Sequence, residues 1–190
     1  MARHATPFVG ADGGTRRAAD GVGGRAELDV ELDLAVVAAA RSGEPLTFAL
    51  VEVGRLPLRA VLVRPAGARP AAELLARTCA ALGLCGASVY RFGGAVTALL
   101  LPGTAVGDAF DPVERMLATV EATGRDARAG LVARDGRCPD PLTLLIGADA
   151  ALHEARGLGT GRVVASAGAG TGMRWLATRG SDARPLEGAA

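Results

Sequence analysis

The sequence predicts an α/β fold, described equally well as an α+β sandwich, with one mixed sheet and helices on its faces. Apolar runs rich in β-branched residues alternate along the chain with segments whose apolar residues recur at helical spacing. Two of these runs are separated only by Gly93-Gly94, a dipeptide that accepts the positive φ angles of a tight hairpin turn. The predicted order is α-β-(α)-α-β-β-α-β-α-β, in which the helices pack on the sheet.

Five segments have the composition of strands. The run at residues 46–53 is almost entirely apolar, which is typical of a central strand buried on both faces. The two hairpin strands are predicted at residues 88–92 and 95–101. Shorter strands are predicted at residues 127–133 and 162–164.

Helices are predicted where apolar residues recur three and four positions apart. The first carries a stripe from Leu28 to Ala39 and ends at Ser42-Gly43. Others are predicted at residues 71–82, in a stripe that begins at Val113 and stops at Gly124, and at residues 142–156. In the last helix we expect the inward residues to be Leu145, Ile146, Ala148 and Leu152.

A chain of 190 residues predicts one domain. We expect that domain at residues 27–165, between Gly- and Ala-rich flexible tails at residues 1–26 and 166–190. Residues 54–64 are ambiguous between a helix and a strand because Pro57 interrupts their pattern.

Composition excludes several classes of partner. A net charge of +1 provides no global field for nucleic acid or anionic lipid, and an aromatic content of 3% argues against base stacking. Three cysteines indicate neither a disulfide framework nor a zinc site, and no apolar run predicts a membrane span or a signal peptide. Every basic residue is Arg, which suggests a GC-rich bacterial genome. We therefore predict a cytoplasmic bacterial protein that binds neither nucleic acid nor membrane.

Two segments resemble a known family. Residues 89–102, which contain Arg91-Phe92-Gly93-Gly94-Ala95-Val96-Thr97 and end in Leu-Pro, resemble the hairpin of GGDEF (diguanylate cyclase) domains. Residues 146–159 resemble the Ala-Asp-x-Ala-Leu-Tyr-x-Ala-Lys-x-x-Gly helix of that family, and residues 129–133 lie where it has Ser-Ile-Gly-Val-Ala. The resemblance covers roughly residues 28–164.

The resemblance implies a nucleotidyl cyclase-like fold with a five-stranded mixed sheet flanked by helices. In active members, two GTP-loaded subunits face each other and make cyclic di-GMP with two Mg²⁺ ions held by carboxylates. Glu52 falls where the first carboxylate would be, but Ala95 and Val96 replace the acidic pair of the motif. Residues 56–61 replace the guanine-recognising helix, and residues 84–87 replace the Arg-x-x-Asp product site. These departures predict no catalytic residue, no metal ligand and no bound Mg²⁺.

The candidate site residues follow from this comparison. The vestigial motif is the run from Arg91 to Thr97 quoted above, and the candidate ligand-binding residues are Glu52, Arg91, Gly93, Gly94 and Arg156. Glu52 could hold a metal ion, but we favour an Arg partner or solvent; Gly93-Gly94 is expected to form a turn without a ligand. Arg156 takes the place of the family's phosphate-contacting Lys, and it either binds phosphate or stabilises the last carbonyls of its helix.

The preferred hypothesis is a catalytically inactive GGDEF-like domain that acts through a protein partner or as a homodimer. The alternative is a sensor that binds GTP or another phosphate ligand in the vestigial cleft. Residual cyclase activity is the third and weakest hypothesis.

Overall fold

The protein is described by a computed structural model in which residues 21–54, 71–84, 86–134, 140–159 and 161–166 are placed, together with the backbone of residues 174–178 and 181–186. The ambiguous segment after Gly54, the residues 56–61 that replace the guanine-recognising helix, Cys85 of the product-site segment and the first twenty residues lie outside the described parts.

One mixed sheet of eight strands forms the centre of the fold, in the order β1-β3-β4-β2-β5-β6-β7-β8. The β1/β3 and β5/β6 pairs are parallel, and the other neighbouring strands are antiparallel. The strands are β1 Val22–Gly23, β2 Leu46–Val53, β3 Ser88–Gly93, β4 Val96–Pro102, β5 Ala127–Arg134, β6 Arg162–Ser166, β7 Arg174–Thr178 and β8 Ser181–Leu186.

In the described part of the chain, four helices cover the two faces of the sheet: α1 Arg25–Ser42, α2 Ala71–Ala81, α3 Val106–Glu121 and α4 Pro141–Leu158. Alternation along β2 divides the core, since successive side chains point to opposite faces. Phe48 and Leu50 pack with α1 and α4, whereas Ala49 and Val51 pack with α2 and α3. The prediction that this strand is buried on both faces is therefore confirmed.

The predicted fold class is confirmed, and all five predicted strands are present. The sheet has three strands more than expected, and they lie at its edges: β1 next to β3, and β7 with β8 beyond β6. These strands fall inside the segments that we predicted to be tails, so regular structure extends beyond residues 27–165. Composition gave no sign of them because an edge strand is held by backbone hydrogen bonds to its neighbour.

The hairpin turn lies one residue later than predicted. The turn residues are Gly94-Ala95, with φ of +56° at Gly94, and Gly93 belongs to β3 beside a register shift in its pairing with β4. This irregularity has the form of a β-bulge, which places an extra residue in β3 before the turn.

Helix α4 is rotated relative to the prediction. Ile146, expected to face the core, is 56% exposed, and Leu144 is buried instead. The reason is the close approach of α4 to Gly130 on β5, where a Cβ atom would overlap the backbone of Ala148 and Leu152. Small residues must face the sheet at this contact, and they direct Ile146 outward.

Candidate functional site

Glu52 lies near the carboxyl end of β2 and is the only residue of this strand that is not fully buried. In the sheet it is paired with Val96 on β4 and with Arg128 on β5. Its side chain lies on the face covered by α1 and α4, the same face as Leu50. Glu52 therefore lies near the end of the central strand, opposite the first residue after the hairpin turn.

Two arginines hold the Glu52 carboxylate. The Arg156 guanidinium, from the last turn of α4, donates from Nε to Oε2 and from Nη2 to Oε1, both at 3.2 Å. Arg128 Nη1 lies 3.6 Å from Oε2. The bidentate geometry of Arg156 is the stronger form of such a pair. We predicted that Glu52 would face an Arg side chain or solvent rather than a metal ion, and the structure shows the Arg partner.

Arg128 is not among the predicted site residues. The signal was present, because Arg128 lies at the start of a predicted strand, but the antiparallel register that places it opposite Glu52 could not be read from the chain. Arg162 on β6 is in turn the register partner of Arg128. Glu52, Arg128 and Arg156 form the Glu52 cluster, which contains one carboxylate and two guanidinium groups.

The contacts at the end of α4 bear on one of the two roles proposed for Arg156, the stabilisation of the last carbonyls of its helix. Arg162 Nε, at 3.4 Å from the carbonyl of Leu158, is the group that contacts the end of α4. Arg156 contacts Glu52 instead of the last carbonyls of its helix, and its contact with phosphate stays a prediction.

The hairpin places its apolar residues beside Glu52. The carbonyl of Ala95 accepts a hydrogen bond of 3.0 Å from the Val53 N–H, which ties the turn to the end of β2. Val96 packs against the core on the α1/α4 face, and Thr97 is buried. Neither Ala95 nor Val96 has a side-chain oxygen, so the hairpin adds no carboxylate to the site.

Arg91 lies away from Glu52. It pairs with Thr97, which occupies the α2/α3 face, and its Nη2 atom lies 4.0 Å from Oε1 of Glu73 on α2. The adjacent Phe92 ring packs under the guanidinium of Arg25 at 4.2 Å. The candidate ligand-binding set is thus split between two faces of the sheet: Glu52 and Arg156 come together, and Arg91 does not join them.

A cavity of about 530 Å³ lies on the α2/α3 side, where the product site of the resembled family is expected. It is lined largely by apolar groups, including Cys79, Leu84, Ala87 and Val89. Burial raises the pKa of the Cys79 thiol to about 11, so it is a protonated, core-like thiol at neutral pH. Arg77 also lines the cavity and provides a cationic side chain there.

Among the residues that the structure describes, no three His, Cys, Asp or Glu side chains are grouped to hold a metal ion. Within the same part of the chain, no helix is both long enough and apolar enough to span a membrane.

Comparison with known proteins identifies the fold. No protein-family model and no curated protein matches the sequence. The GGDEF domain of DgcB from Caulobacter crescentus, solved in complex with c-di-GMP, superposes with a TM-score of 0.62 at 19% identity over 82% of this chain and 97% of that one. An active GGEEF domain of a diguanylate cyclase from Vibrio cholerae gives 0.61 at 20% identity, over 75% and 96%.

A third similar structure is the diguanylate cyclase SiaD from Pseudomonas aeruginosa, solved in complex with its activator SiaC. It has a TM-score of 0.60 at 22% identity and covers 79% of this chain and 61% of that one. Identities in this range establish the architecture rather than the activity. This chain has the fold of GGDEF domains.

Proposed function

We propose that this protein is a non-catalytic GGDEF-like module that acts in the bacterial cytoplasm by binding another protein molecule. The observation that carries the proposal is the state of Glu52, whose two carboxylate oxygens are both bound by Arg156 while Arg128 lies 3.6 Å away. In the resembled family this carboxylate serves a metal ion.

The residues present do not fit Mg²⁺. This ion requires an octahedron of oxygen ligands, usually with one or two carboxylates. Here Glu52 is occupied by guanidinium groups, and a divalent cation would have to lie beside the positive charges of Arg128 and Arg156. Ala95 and Val96 contribute no side-chain oxygen, and the Ala95 carbonyl already accepts from Val53. We therefore derive no metal-assisted step for this chain.

A protein-binding role is consistent with what is seen for a protein of similar fold, since SiaD was solved with its activator bound. In this chain both helical layers pack on the sheet to form a core, while Ala95 and Val96 stand where the resembled motif has two acidic residues. A module that keeps its architecture without its chemistry can act through its surface.

The test has two arms. Purified chain is incubated with GTP and either Mg²⁺ or Mn²⁺, and the products are separated by chromatography; we expect no cyclic di-GMP from the wild type or from Glu52→Gln. Product from the wild type that is absent with Glu52→Gln would show a working cyclase. In the second arm, light scattering and capture experiments measure association; a strictly monomeric chain that retains no protein would contradict the proposed role.

The charge of the Glu52 cluster favours a second candidate, a phosphate-ligand sensor. Its formal charge is +1, from two arginines and one glutamate, and Arg pairs well with phosphate. Thermal unfolding with millimolar GTP, with and without Mg²⁺, tests this candidate. GTP should raise the unfolding temperature of the wild type and of Arg115→Ala, whose substitution lies on the opposite helical layer, but not that of Arg156→Ala. An equal rise in all three proteins would exclude this site.

A further inference from the structure

Arg156 reaches Glu52 because helix α4 lies against β5 at Gly130. A Cβ atom added to Gly130 would overlap the backbone of α4 at Leu152, so the helix and the strand are in direct contact there. Arg156 follows Leu152 by four residues, about 6 Å along the helix axis, and Arg128 precedes Gly130 by two residues, about 6.7 Å along the strand. The next turn of α4 therefore brings Arg156 to Glu52, the register partner of Arg128.

The Arg156 guanidinium neutralises the Glu52 carboxylate as a bound cation would. Each carboxylate oxygen accepts one of its hydrogen bonds at 3.2 Å, and Arg128 Nη1 lies 3.6 Å from Oε2. The side chains of Glu52, Arg128 and Arg156 are 23%, 22% and 37% exposed, so solvent screens their charges only in part. With two arginines and one glutamate, the Glu52 cluster has a net positive charge that repels a further cation.

Position 96 lies where a second carboxylate would meet Glu52. Val96 is the register partner of Glu52 on β4 and lies on the same face of the sheet. Directly opposed residues of an antiparallel pair have Cβ atoms about 4.5–5.5 Å apart, a distance at which two carboxylates can share one divalent ion. Val96 is half-buried, so a polar side chain at this position would have access to solvent. The backbone therefore presents two opposed positions suited to carboxylates, and the side chains decide whether an ion binds.

We propose that Arg156 is an internal cation that excludes divalent metal ions from the end of β2, even when a second carboxylate is present. The inference rests on the non-catalytic function proposed above and deepens it by naming the residue that excludes the metal. Arg156 engages both oxygens of Glu52, whereas Arg128 approaches only one, so Arg156 is the main barrier. Replacing Arg156 and adding a carboxylate at position 96 should together create a cation site that neither change creates alone.

Titration with Mn²⁺ alone tests the exclusion, because electron paramagnetic resonance distinguishes free from bound Mn²⁺ and carboxylates are ligands suited to this ion. The full chain is measured as wild type, Val96→Glu, Arg156→Ala and Val96→Glu/Arg156→Ala. The double variant should bind Mn²⁺ at least about 10-fold more tightly than each of the other three proteins. Adding Glu52→Gln to the double variant should abolish this gain, because the ion would lose one of its two carboxylates.

Val96→Glu/Arg115→Ala is the matched control, since it removes an exposed arginine from α3 on the opposite helical layer. It should bind Mn²⁺ no better than Val96→Glu. Far-UV circular dichroism checks that each variant is folded, and Val96→Glu/Arg156→Gln, which keeps a long polar side chain without the charge, serves if Arg156→Ala does not fold.

Two results would overturn the exclusion by Arg156. Equal binding by Val96→Glu and the double variant would show that the arginine is no barrier, and a folded double variant without any gain would show that its removal does not open the site. The cyclase assay is independent of these measurements. A wild type that binds Mn²⁺ at Glu52 but makes no cyclic di-GMP would overturn the exclusion and leave the proposed function standing. A wild type that makes cyclic di-GMP, while only the double variant binds Mn²⁺ alone, would do the reverse.

Discussion

Arg156 and Glu52 are joined by two hydrogen bonds of 3.2 Å although 104 residues separate them in the chain. The pair links the last turn of α4 to the end of the central strand β2. It makes the carboxylate near the end of β2 part of a structural contact.

The first prediction concerns this pair. Glu52→Gln should destabilise the protein by about 1 kcal/mol, because it leaves Arg128 and Arg156 together without the carboxylate, and partial exposure limits the cost. Urea unfolding measures the change. Glu44→Gln, at an exposed loop position, should stay within about 0.5 kcal/mol of the wild type; equal effects of the two variants would mean that the pair contributes nothing.

The second prediction concerns the contact between α4 and β5. Gly130→Ala should cost about 3 kcal/mol, because the added methyl group would overlap the backbone of Ala148 and Leu152 and force α4 away from the sheet. Gly157→Ala provides the matched control within α4, since a Cβ there meets nothing within 4 Å. It should be neutral or stabilising by about 0.5–1 kcal/mol. Thermal or urea unfolding of both variants distinguishes a packing effect from a general effect of glycine replacement.

The third prediction is a pH dependence at the start of α4. Asp140 caps the helix by accepting hydrogen bonds from the side-chain hydroxyl and the backbone N–H of Thr143, at 2.7 Å and 2.9 Å, and these bonds lower its pKa from the ordinary value of 3.8. Because its pKa is lower in the folded protein, the charged Asp140 carboxylate stabilises the fold at pH values above 3.8. This contribution is lost as the pH falls through the folded-state pKa.

Asp140→Ala should therefore be less stable than the wild type at pH 7, and the difference should narrow as the pH falls below 3.8. Asp140→Asn keeps a capping oxygen and does not titrate, which makes it the control. Chemical unfolding across pH 7 to 3 measures the three proteins. A difference between Asp140→Ala and the wild type that is constant with pH would refute the role of the charged cap.

The fourth prediction concerns Cys79. Its thiol is 3% exposed, lies 3.6 Å from the sulfur of Met116, and has a pKa of about 11. It should resist iodoacetamide at pH 8 in the native protein, because the reactive thiolate is scarce and Cys79 is buried. It should be labelled readily in urea. Peptide mass spectrometry resolves Cys79 from the other two cysteines; rapid native labelling of Cys79 would contradict this packing.

Much of the architecture could be predicted from the sequence because its signals are local. The apolar run of β2, the glycines of the hairpin and the Gly43 stop of α1 each act over a few residues, and each lies where expected or within one residue of it. The edge strands β7 and β8 were missed because their pairing to the sheet leaves little mark on composition.

The sequence by itself determined the fold class, the five inner strands, and the apolar side chains of Ala95 and Val96 at the hairpin, because these depend on residue identity and local periodicity. Only the tertiary structure decided what became of the remaining site. The antiparallel register brought Arg128 to Glu52, and alternation of side chains across the sheet sent Arg91 to the other face. Close packing at Gly130 turned Ile146 outward. Strand register, the face of the sheet on which a side chain lies, and the rotation of a helix all arise from contacts between distant segments. No local pattern in the sequence therefore specifies them.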